Sequence, residues 1–484
     1  MGHHNSYDKE SVQAPGSKWT ALIIGFLVFG LGLTAAGVTM TDKTHASFSY
    51  LTSFMFYLSI SLGALFFVLI QHLVRAGWST VVRRLAEGLM KNFLLLAILF
   101  IPIAFNIDTL YAWTAQGDAH GAAHHAAAPA VEAQAAHGDH DGHEHAADAK
   151  DAHATDSHAP AVHAEGDAGY GKVNLFKIRP TGDEAKDAEN ETKWKEHLKH
   201  VLHHKSAYLY PKGFYIRAEI YFLVWIGLAL YLFRGSKSLD TEENKETQAA
   251  TIIKMGRASA PGLMLFALTA TFAAFDWIMA TDYGWFSTIF GVIYFSGGVV
   301  AVFSTMILAA AFLQSKGYLK GVITIEHYHD FGKFLWGFVV FWTYVSFSQL
   351  ILIWYADLPE ETIWFHTRWN ETDGWRALSW VVIIGHFVLP FFLLLSRHIK
   401  RNKFTLSVMA VWMLVVSWLH LYWEIMPNMQ YPGTVPFNFQ IADVLVFLGL
   451  GGIYFAFFFL NLKNSKLIPE NDPRLNEALN FHNY

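Results

Sequence analysis

Long apolar runs, separated by short polar segments, make up most of the chain. Each run approaches the ~20 residues that an α-helix needs to cross the hydrocarbon core of a bilayer. Ten runs meet this length, at Trp19–Met40, Phe48–Leu73, Leu85–Ile107, Pro211–Phe233, Ala260–Met279, Phe286–Leu313, Phe334–Trp354, Ala377–Leu395, Phe404–Trp423 and Ile441–Leu462. A soluble domain of this size cannot bury ten helices that are apolar on all sides. The pattern therefore predicts an all-α, polytopic membrane protein with ten transmembrane helices.

The segment between the third and fourth predicted helices, residues 108–210, differs from the rest of the chain. Its first half includes "HGAAHHAAAPAVEAQAAHGDHDGHEH" and has almost no large apolar side chain, so burial cannot offset its ordering entropy. We expect this half to be disordered. The second half predicts a helix near Asn190–His204, with Asn190 as the N-cap, that packs on the protein surface or on a partner. The other predicted parts are an N-terminal segment (1–18), helices one to three (19–107), helices four to ten (211–462) and a C-terminal tail (463–484).

Positive charges are distributed unevenly between the short loops. Ten helices return the chain to its starting side, so both chain ends lie on one side, here called the terminal side. Most Lys and Arg residues of the short loops fall on that side, whereas the short loops opposite contain only Lys43, Arg368 and Arg376. Short loops rich in Lys and Arg remain in the cytoplasm. We therefore expect both termini to be cytoplasmic and the long His-rich loop to lie on the other face of the membrane.

Composition narrows the chemistry that this chain can perform. Hydrophobic residues make up 53% and charged residues 15% of the chain, with a net charge of −5 and no basic stripe that would suggest nucleic acid as a partner. The chain contains no cysteine, which excludes disulfides, cysteine-ligated iron–sulfur clusters and thioether-linked haem. If the protein handles electrons, the redox group must be a bound small molecule or must belong to a partner.

Titratable residues interrupt the apolar helices. The stretch "AAFDWIMATDYGW" places Asp276 inside the fifth predicted helix and Asp282 just after it. A charged side chain in the hydrocarbon costs about 3 kcal/mol even on lenient scales, so such groups are expected to face the bundle interior and to mark a substrate site or a proton path. The candidates are Asp276, His420, Glu424 and Gln349 towards the opposite side, His386 near the middle, and His72, Glu87, His329 and Asp330 towards the terminal side.

Three of these residues are predicted to form one cavity. Asp276, His420 and Glu424 share a depth near the opposite side, and His420 and Glu424 lie one turn apart on one helix face. Quinol oxidation needs an apolar slot, hydrogen-bond partners for the two ring oxygens and a base that takes the proton. Neighbouring Trp and Tyr residues, together with these three side chains, would suit such a ring.

Many of the polar and aromatic residues near the helix ends have a simpler interpretation. Rings at these positions are typical of an interfacial aromatic belt. The residues concerned are Trp277, Tyr283, Trp285, Trp354, Tyr355, Tyr422 and Trp423. The rim acids Asp282, Asp357, Glu360 and Glu361 are expected to be solvated, and His327 and His329 to lie at the terminal-side interface. Function is favoured for Asp276, Glu87 and His386.

Histidines suggest two further sites, neither of which the pattern favours. The motif "HGDHDGHEH" brings together His137, His140, His143 and His145, which could bind zinc or copper, but a solvated low-complexity insert is the favoured explanation. His386 and His420 would have to lie at one depth to hold a haem between them. Their positions relative to the predicted helix ends differ by about 9 Å at 1.5 Å per residue. No haem is therefore expected in this chain.

Two stretches of the chain carry a family resemblance. "DFGKFLWGFVVFWTYVSFSQLILIWYADLPEET" (330–362) and "FAAFDWIMATDYGWFSTIFG" (272–291), supported by "WEIMP" (423–427), resemble the ten-helix membrane subunits of bacterial alternative complex III. Those subunits are similar to the polysulfide-reductase (NrfD-like) integral membrane family. The resemblance covers nearly all of the hydrophobic chain but not the His-rich insert. The "SFSQ" and "LPEET" stretches resemble the second of the two paralogous membrane subunits, which is often called quinone-binding subunit 2.

The resemblance implies an architecture and a set of partners. Helices two to five and six to nine would form two inverted-looking four-helix bundles, flanked by the first and last helices. The chain would lie in the bacterial inner membrane beside a paralogous ten-helix subunit, with periplasmic iron–sulfur and multihaem cytochrome c subunits. A terminal oxidase is a further candidate partner. The complex would oxidise menaquinol or ubiquinol. In the second paralog, the titratable residues of the two depths would form two proton half-channels, with His386 near the gap between them.

Two other functions compete with a quinone or proton role. The first is an inert scaffold of the same complex, in which the polar residues bind lipid or partner helices. The second is an independent secondary transporter, which predicts helices broken by Gly or Pro near the membrane midplane at matching positions. Only Pro390 and the Gly297–Gly298 pair fit that pattern. The transporter is therefore the least favoured of the three.

Overall fold

The computed structural model describes residues 7–114, 184–369, 374–431 and 435–482, except for some side chains at 184–191, 194–195 and 359–360. Within these residues the regular structure is helical, and ten helices are long and apolar enough to cross a membrane. The spans, numbered one to ten in chain order, are Gly16–Thr39, Lys43–Leu73, Thr80–Phe105, Pro211–Ser238, Lys245–Thr281, Phe290–Ser315, Ile325–Ala356, Trp375–Leu395, Lys403–Asn428 and Ile441–Lys463. The predicted all-α, ten-helix membrane fold is confirmed.

Several spans are longer than their apolar runs. The fifth begins at Lys245 rather than near residue 260, and the seventh begins at Ile325 rather than near residue 334. Local capping explains both starts, because Asn244 accepts hydrogen bonds from the backbone of the first turn and Thr324 forms a capping box. The added turns are polar helix ends on the terminal side, which hydropathy alone does not detect.

The spans pack as two groups of four around a central pair. Spans two to five contact one another, spans six to nine contact one another, and the second and sixth spans join the groups. At this junction a Cβ on Gly63 would lie 2.5 Å from the carbonyl oxygen of Gly298, so only glycine allows the observed approach. Three spans lie between the second and the sixth, so the second and sixth spans cross the membrane in the same direction and both groups begin on the same side. The two bundles are therefore not inverted relative to each other, contrary to expectation.

The first span lies at the edge of the protein and packs on the tenth. Glycines on both helices bring the two backbones together: a Cβ on Gly30 would lie 2.6 Å from the backbone nitrogen of Ile453. Close helix approach of this kind holds membrane helices together through van der Waals contact, because lipid supplies no hydrophobic driving force between them. The flanking pair predicted from the resemblance is present in the fold.

Replacing Gly30 by Ala should loosen the first span. The added methyl group has no space, and overpacking of a close contact costs about 1–3 kcal/mol. Gly32→Ala is a matched control on the same helix, because a Cβ at Gly32 meets nothing within 4 Å. We expect a lower melting temperature in detergent for Gly30→Ala and an unchanged one for Gly32→Ala. Equal melting temperatures for the two variants would contradict this packing.

A helix outside the spans, Glu184–Lys205, precedes the fourth span and is here called the connecting helix. It begins six residues before the predicted N-cap Asn190, so that N-cap assignment is wrong. Leu198 and Leu202 are buried, and the Lys205 ammonium donates to the carbonyl oxygen of Tyr283 at 2.7 Å. The helix therefore packs on the turn between the fifth and sixth spans, as predicted. The residues of the His-rich insert lie outside the described parts of the chain.

Both ends of the chain meet on the terminal side. The backbone nitrogen of Leu467 donates to the carbonyl oxygen of Val12 at 2.8 Å. The C-terminal tail then continues across this end of the bundle to the short helix Leu475–Leu479. Phe481 contacts Trp78, between the second and third spans. The tail thus covers the terminal side of the first bundle.

Candidate functional site

A widened turn in the eighth span presents His386 to the second bundle. The α-helix Trp375–Val382 gives way to a π-helical turn at Ile383–Val388 before the helix resumes at Leu389. Pro390 has no backbone N–H and cannot donate to the carbonyl of His386, which accounts for a departure from α-geometry at this point. Single π-turns inside α-helices are frequent at functional sites.

His386 belongs to a buried polar cluster formed by spans seven, eight and nine. Its Nε2 atom lies 3.3 Å from the Ser417 hydroxyl, and its ring is 5.9 Å from that of His420. The His420 Nε2 atom lies 3.4 Å from a carboxyl oxygen of Glu424, one helical turn away, as predicted. The Trp342 ring packs against both imidazoles, with centroids at 3.9 and 5.0 Å. We call His386, Ser417, His420 and Glu424 the polar cluster.

A small cavity adjoins the polar cluster. It is lined by polar cluster side chains and by Tyr294, Gly297, Gly298 and Ser59 from the second and sixth spans. About 10 Å³ is open to the centre of a water-sized sphere, which is room for about one water molecule. The cavity is therefore of the right size for water and too small for a quinone ring.

Three polar atoms in and around the polar cluster have no hydrogen-bond partner among the described residues. They are the Nδ1 atom of His386, the Oε2 atom of Glu424 and the indole nitrogen of Trp342. His386 is fully buried, and Glu424 is 3% exposed. Buried polar groups are rarely left unpaired, because each costs about 1–3 kcal/mol. These three atoms can therefore each take part in a further hydrogen bond.

The helix Pro359–Arg368, here called the cap helix, closes the polar cluster towards the opposite side. Arg368, at its end, is fully buried and donates to the carbonyl oxygens of Glu424 at 2.7 Å and Trp364 at 2.9 Å. Its guanidinium also lies 3.7 Å from the centre of the Trp364 ring. Sequence reasoning treated Arg368 only as a loop cation, and no spacing or motif distinguishes it. It is a functional candidate that the sequence missed.

Two nearby carboxyl groups, those of Asp282 and Glu424, influence the pKa of Arg368. Burial lowers the pKa of Arg368 to about 9, and Asp282 and Glu424 oppose this shift. Burial also raises the pKa of Asp282, while Arg368 and a hydrogen bond from Tyr431 oppose it. Asp282 is 9% exposed. The prediction of a solvated rim residue is therefore wrong, because the turn after the fifth span folds inward beneath the connecting helix.

Asp276 lies in a different place from the polar cluster. Its carboxylate accepts two hydrogen bonds from the guanidinium of Arg217, at 2.8 and 2.9 Å, and one from Tyr221 at 2.8 Å. Both partners are on the fourth span. The predicted cavity shared by Asp276, His420 and Glu424 is therefore wrong, since Asp276 is paired within the first bundle. Arg217 was overlooked because it falls inside an apolar run.

The prediction of an interfacial aromatic belt is only partly correct. Trp277 is fully buried, and Tyr283 and Trp285 are each 2% exposed, whereas belt residues must reach the interface. Trp354 and Tyr355 are 71% and 89% exposed and fit the belt. Trp277 instead packs against Tyr221, a hydrogen-bond partner of Asp276, and Trp285 stacks on Trp364 of the cap helix. Tyr422 is likewise buried, and Trp423 stacks near His420.

On the terminal side, Glu87 belongs to a buried network of charges, and His72 lies beside it. Arg83 bonds Asp472 of the C-terminal tail at 2.8 Å and Glu87 at 3.2 Å. Arg84 bonds Asp240 at 2.7 Å and lies 3.5 Å from Glu87. His72 is 1% exposed, and neither ring nitrogen has a hydrogen-bond partner among the described residues. Arg83, Arg474 and Asp472 are close enough to interact electrostatically with the His72 imidazole.

The remaining predicted residues lie apart from the polar cluster and from the terminal-side network of charges. His329 and Asp330 lie at the terminal-side end of the seventh span, where Asp330 pairs with Lys333. Gln349, near the other end of that span, accepts a hydrogen bond from Ser287 at 2.7 Å. His72 and Glu87 thus both lie near Arg83, whereas His329 and Asp330 form a separate pair of neighbours. Asp357 is exposed as predicted, and the side chain of Glu360 lies outside the described parts.

A further buried pair, missed by the sequence analysis, joins the second and tenth spans near the opposite side. His45 Nε2 lies 2.8 Å from a carboxyl oxygen of Asp443, and the Tyr422 hydroxyl donates to the other oxygen at 3.2 Å. Both residues are in the first turn of their helices, where hydropathy places the lipid interface. The periodicity therefore offered no reason to single them out.

The depth argument against a shared site for His386 and His420 is wrong. The eighth span begins at Trp375 and the ninth continues to Asn428, so both residues lie further from the membrane boundary than their apolar runs suggested. Their rings are 5.9 Å apart, with Trp342 packed against both. The error came from the soft ends of the hydrophobic runs.

A second cavity, lined by apolar side chains, opens on the side of the bundle between the second, fifth and sixth spans. About 310 Å³ is open to the centre of a water-sized sphere, and Phe66, Phe266 and Phe295 form much of the wall. Thr271 supplies the one hydroxyl in this wall. A hydrocarbon chain suits this surface better than a ring that needs hydrogen-bond partners. The titratable clusters described above are elsewhere.

Neither the protein-family models nor the curated proteins include a match to this chain.

Proposed function

We propose that this integral membrane protein moves protons through its polar cluster, as one subunit of a quinol-oxidising respiratory complex. The observation that carries the proposal is the water-sized cavity lined by His386, Ser417 and His420, together with the contact between His420 and Glu424 one turn away. A proton relay needs titratable groups within hydrogen-bond reach of each other, directly or through one water. The 3.4 Å contact between His420 and Glu424 meets this requirement directly, and the cavity lined by His386 and His420 has room for a bridging water.

The geometry supports proton transfer over quinol oxidation at this cluster. A quinone ring needs a slot of several hundred Å³, whereas the cavity at the polar cluster has room for about one water. The larger cavity has the volume, but the residues that line it include no base. Neither of these two cavities therefore suits a quinone, and we place quinone binding at a partner subunit or at a surface that this chain forms with a partner.

The place of the chain in a respiratory complex rests on the resemblance of the stretches 272–291 and 330–362 to alternative complex III subunits. Oxidation of a quinol releases protons as well as electrons. This chain has no cysteine to ligate an iron–sulfur cluster, so partners of the iron–sulfur and cytochrome c type would receive the electrons. The protons need a path across the membrane region, which the polar cluster would supply.

A structural scaffold is the second candidate, and a specific observation favours it for part of the chain. Asp276 has three hydrogen bonds to Arg217 and Tyr221, and Glu87 lies between Arg83 and Arg84. The carboxylate of Asp276, with both oxygens hydrogen-bonded, fits a structural role better than proton exchange. If the polar cluster has no role either, the whole chain is a scaffold.

Purification from native membranes tests membership of the complex. A tag on the C-terminus of this chain should bring down, in mild detergent, a second ten-helix subunit and subunits that contain haem c and iron–sulfur clusters. Mass spectrometry and haem absorbance identify them, and the same preparation should reduce cytochrome c with quinol. Two results together would contradict the proposal. The tagged chain would purify alone, and membranes that lack the chain would still oxidise quinol at the normal rate.

A further inference from the structure

We propose that the connecting helix carries a binding site for a divalent transition metal, formed by His200 and His204. The two residues are one turn apart, and their Nε2 atoms lie 3.2 Å from each other. Their rings have centroids 4.5 Å apart and are inclined by 71°. Both nitrogens thus point at the same small volume beside the helix. The site is independent of the proposed proton function.

The separation of the two nitrogens matches the bite of a metal chelate. Zinc binds imidazole nitrogen at about 2.0–2.1 Å in tetrahedral geometry, which places two ligand nitrogens about 3.3 Å apart. The observed 3.2 Å therefore lets a metal replace the proton that the two rings would otherwise share. Imidazole pairs suit Zn²⁺, Cu²⁺ and Ni²⁺ among the common divalent ions. Water would complete the coordination.

The fold holds this pair in place and leaves it accessible. Leu198 and Leu202 are buried against the bundle, and residues two positions further along a helix point about 200° away. His200 and His204 consequently face away from the bundle and are exposed. Lys205 anchors the end of the helix through the Tyr283 carbonyl, so its ammonium group is engaged elsewhere.

Mapping of histidine reactivity tests the site one residue at a time, which matters because the chain has 25 histidines. The purified full chain is treated with diethyl pyrocarbonate with and without micromolar Zn²⁺, and modified residues are identified by mass spectrometry. His200 and His204 should both lose reactivity when Zn²⁺ is present. His398, an exposed histidine of the terminal side, is an internal reference and should react equally in both samples.

Single substitutions separate chelation from weak binding to one ring. In His200→Ala, Zn²⁺ should no longer protect His204, and in His204→Ala it should no longer protect His200. Melting temperatures close to that of the unmodified protein would show that both variants are folded. The proposal is wrong if either single variant keeps full protection, if protection needs millimolar Zn²⁺, or if Mg²⁺ protects as well as Zn²⁺.

Discussion

Replacing Glu424 by Gln should abolish proton transfer through this chain while leaving its fold intact. The amide keeps the size and the hydrogen-bonding capacity of the side chain but cannot bind and release a proton. General acid–base groups contribute about 10²–10⁴-fold to proton transfer, so we expect a loss of at least about 10²-fold. Proton movement is measured with a pH-sensitive dye in vesicles that contain the purified complex during quinol oxidation.

A matched substitution controls for the change from Glu to Gln. Glu243 is exposed on the terminal side and lies outside both clusters. Glu243→Gln should leave proton movement unchanged, and both variants should melt at similar temperatures. If Glu424→Gln moves protons as well as Glu243→Gln does, the polar cluster is structural and the scaffold function is favoured. A loss in both variants would point to damage to the complex rather than to the relay.

Replacing Arg217 by Leu should destabilise the first bundle strongly. The substitution leaves the carboxylate of Asp276 fully buried with Tyr221 as its remaining hydrogen-bond donor. Removal of one partner from a buried ion pair costs about 3–5 kcal/mol, because the other charge remains uncompensated. The free energy of unfolding, measured by SDS titration in mixed micelles with tryptophan fluorescence, should fall by that amount.

A double-mutant cycle identifies the cause of this loss. Arg217→Leu combined with Asp276→Leu removes both charges and should recover most of the stability, since apolar residues often replace a buried ion pair without cost. Arg234→Leu, an exposed arginine on the same span, is the control and should change stability by about 0.5 kcal/mol or less. Equal losses for the Arg217 and Arg234 variants would show that the ion pair is unimportant.

The number and nature of the helices follow from the sequence, because hydrophobic length is a local property. Each span must supply its own apolar run, and each run can be recognised without knowledge of its neighbours. The spacing of His420 and Glu424 was equally predictable, because residues one turn apart on a helix share a face. These features depend on sequence separations of a few residues.

The partners of the buried charges could not be predicted, because each partner comes from a distant helix. Arg217 is 59 positions from Asp276, and Asp443 is 398 positions from His45. Hydropathy also averages single charges away, which hid Arg217 inside an apolar run. The placement of Arg368 depends on the cap helix folding over the ninth span, and no pattern in the sequence encodes that contact.

Infrared difference spectroscopy of the working complex tests the central claim most directly. If Glu424 takes up and releases a proton during quinol oxidation, the difference spectrum should contain a carboxyl C=O band that shifts in D₂O and is missing in Glu424→Gln. The same band should persist in Glu243→Gln. A spectrum in which every carboxyl band of the unmodified complex survives the Glu424 substitution would show that protons do not pass through this side chain.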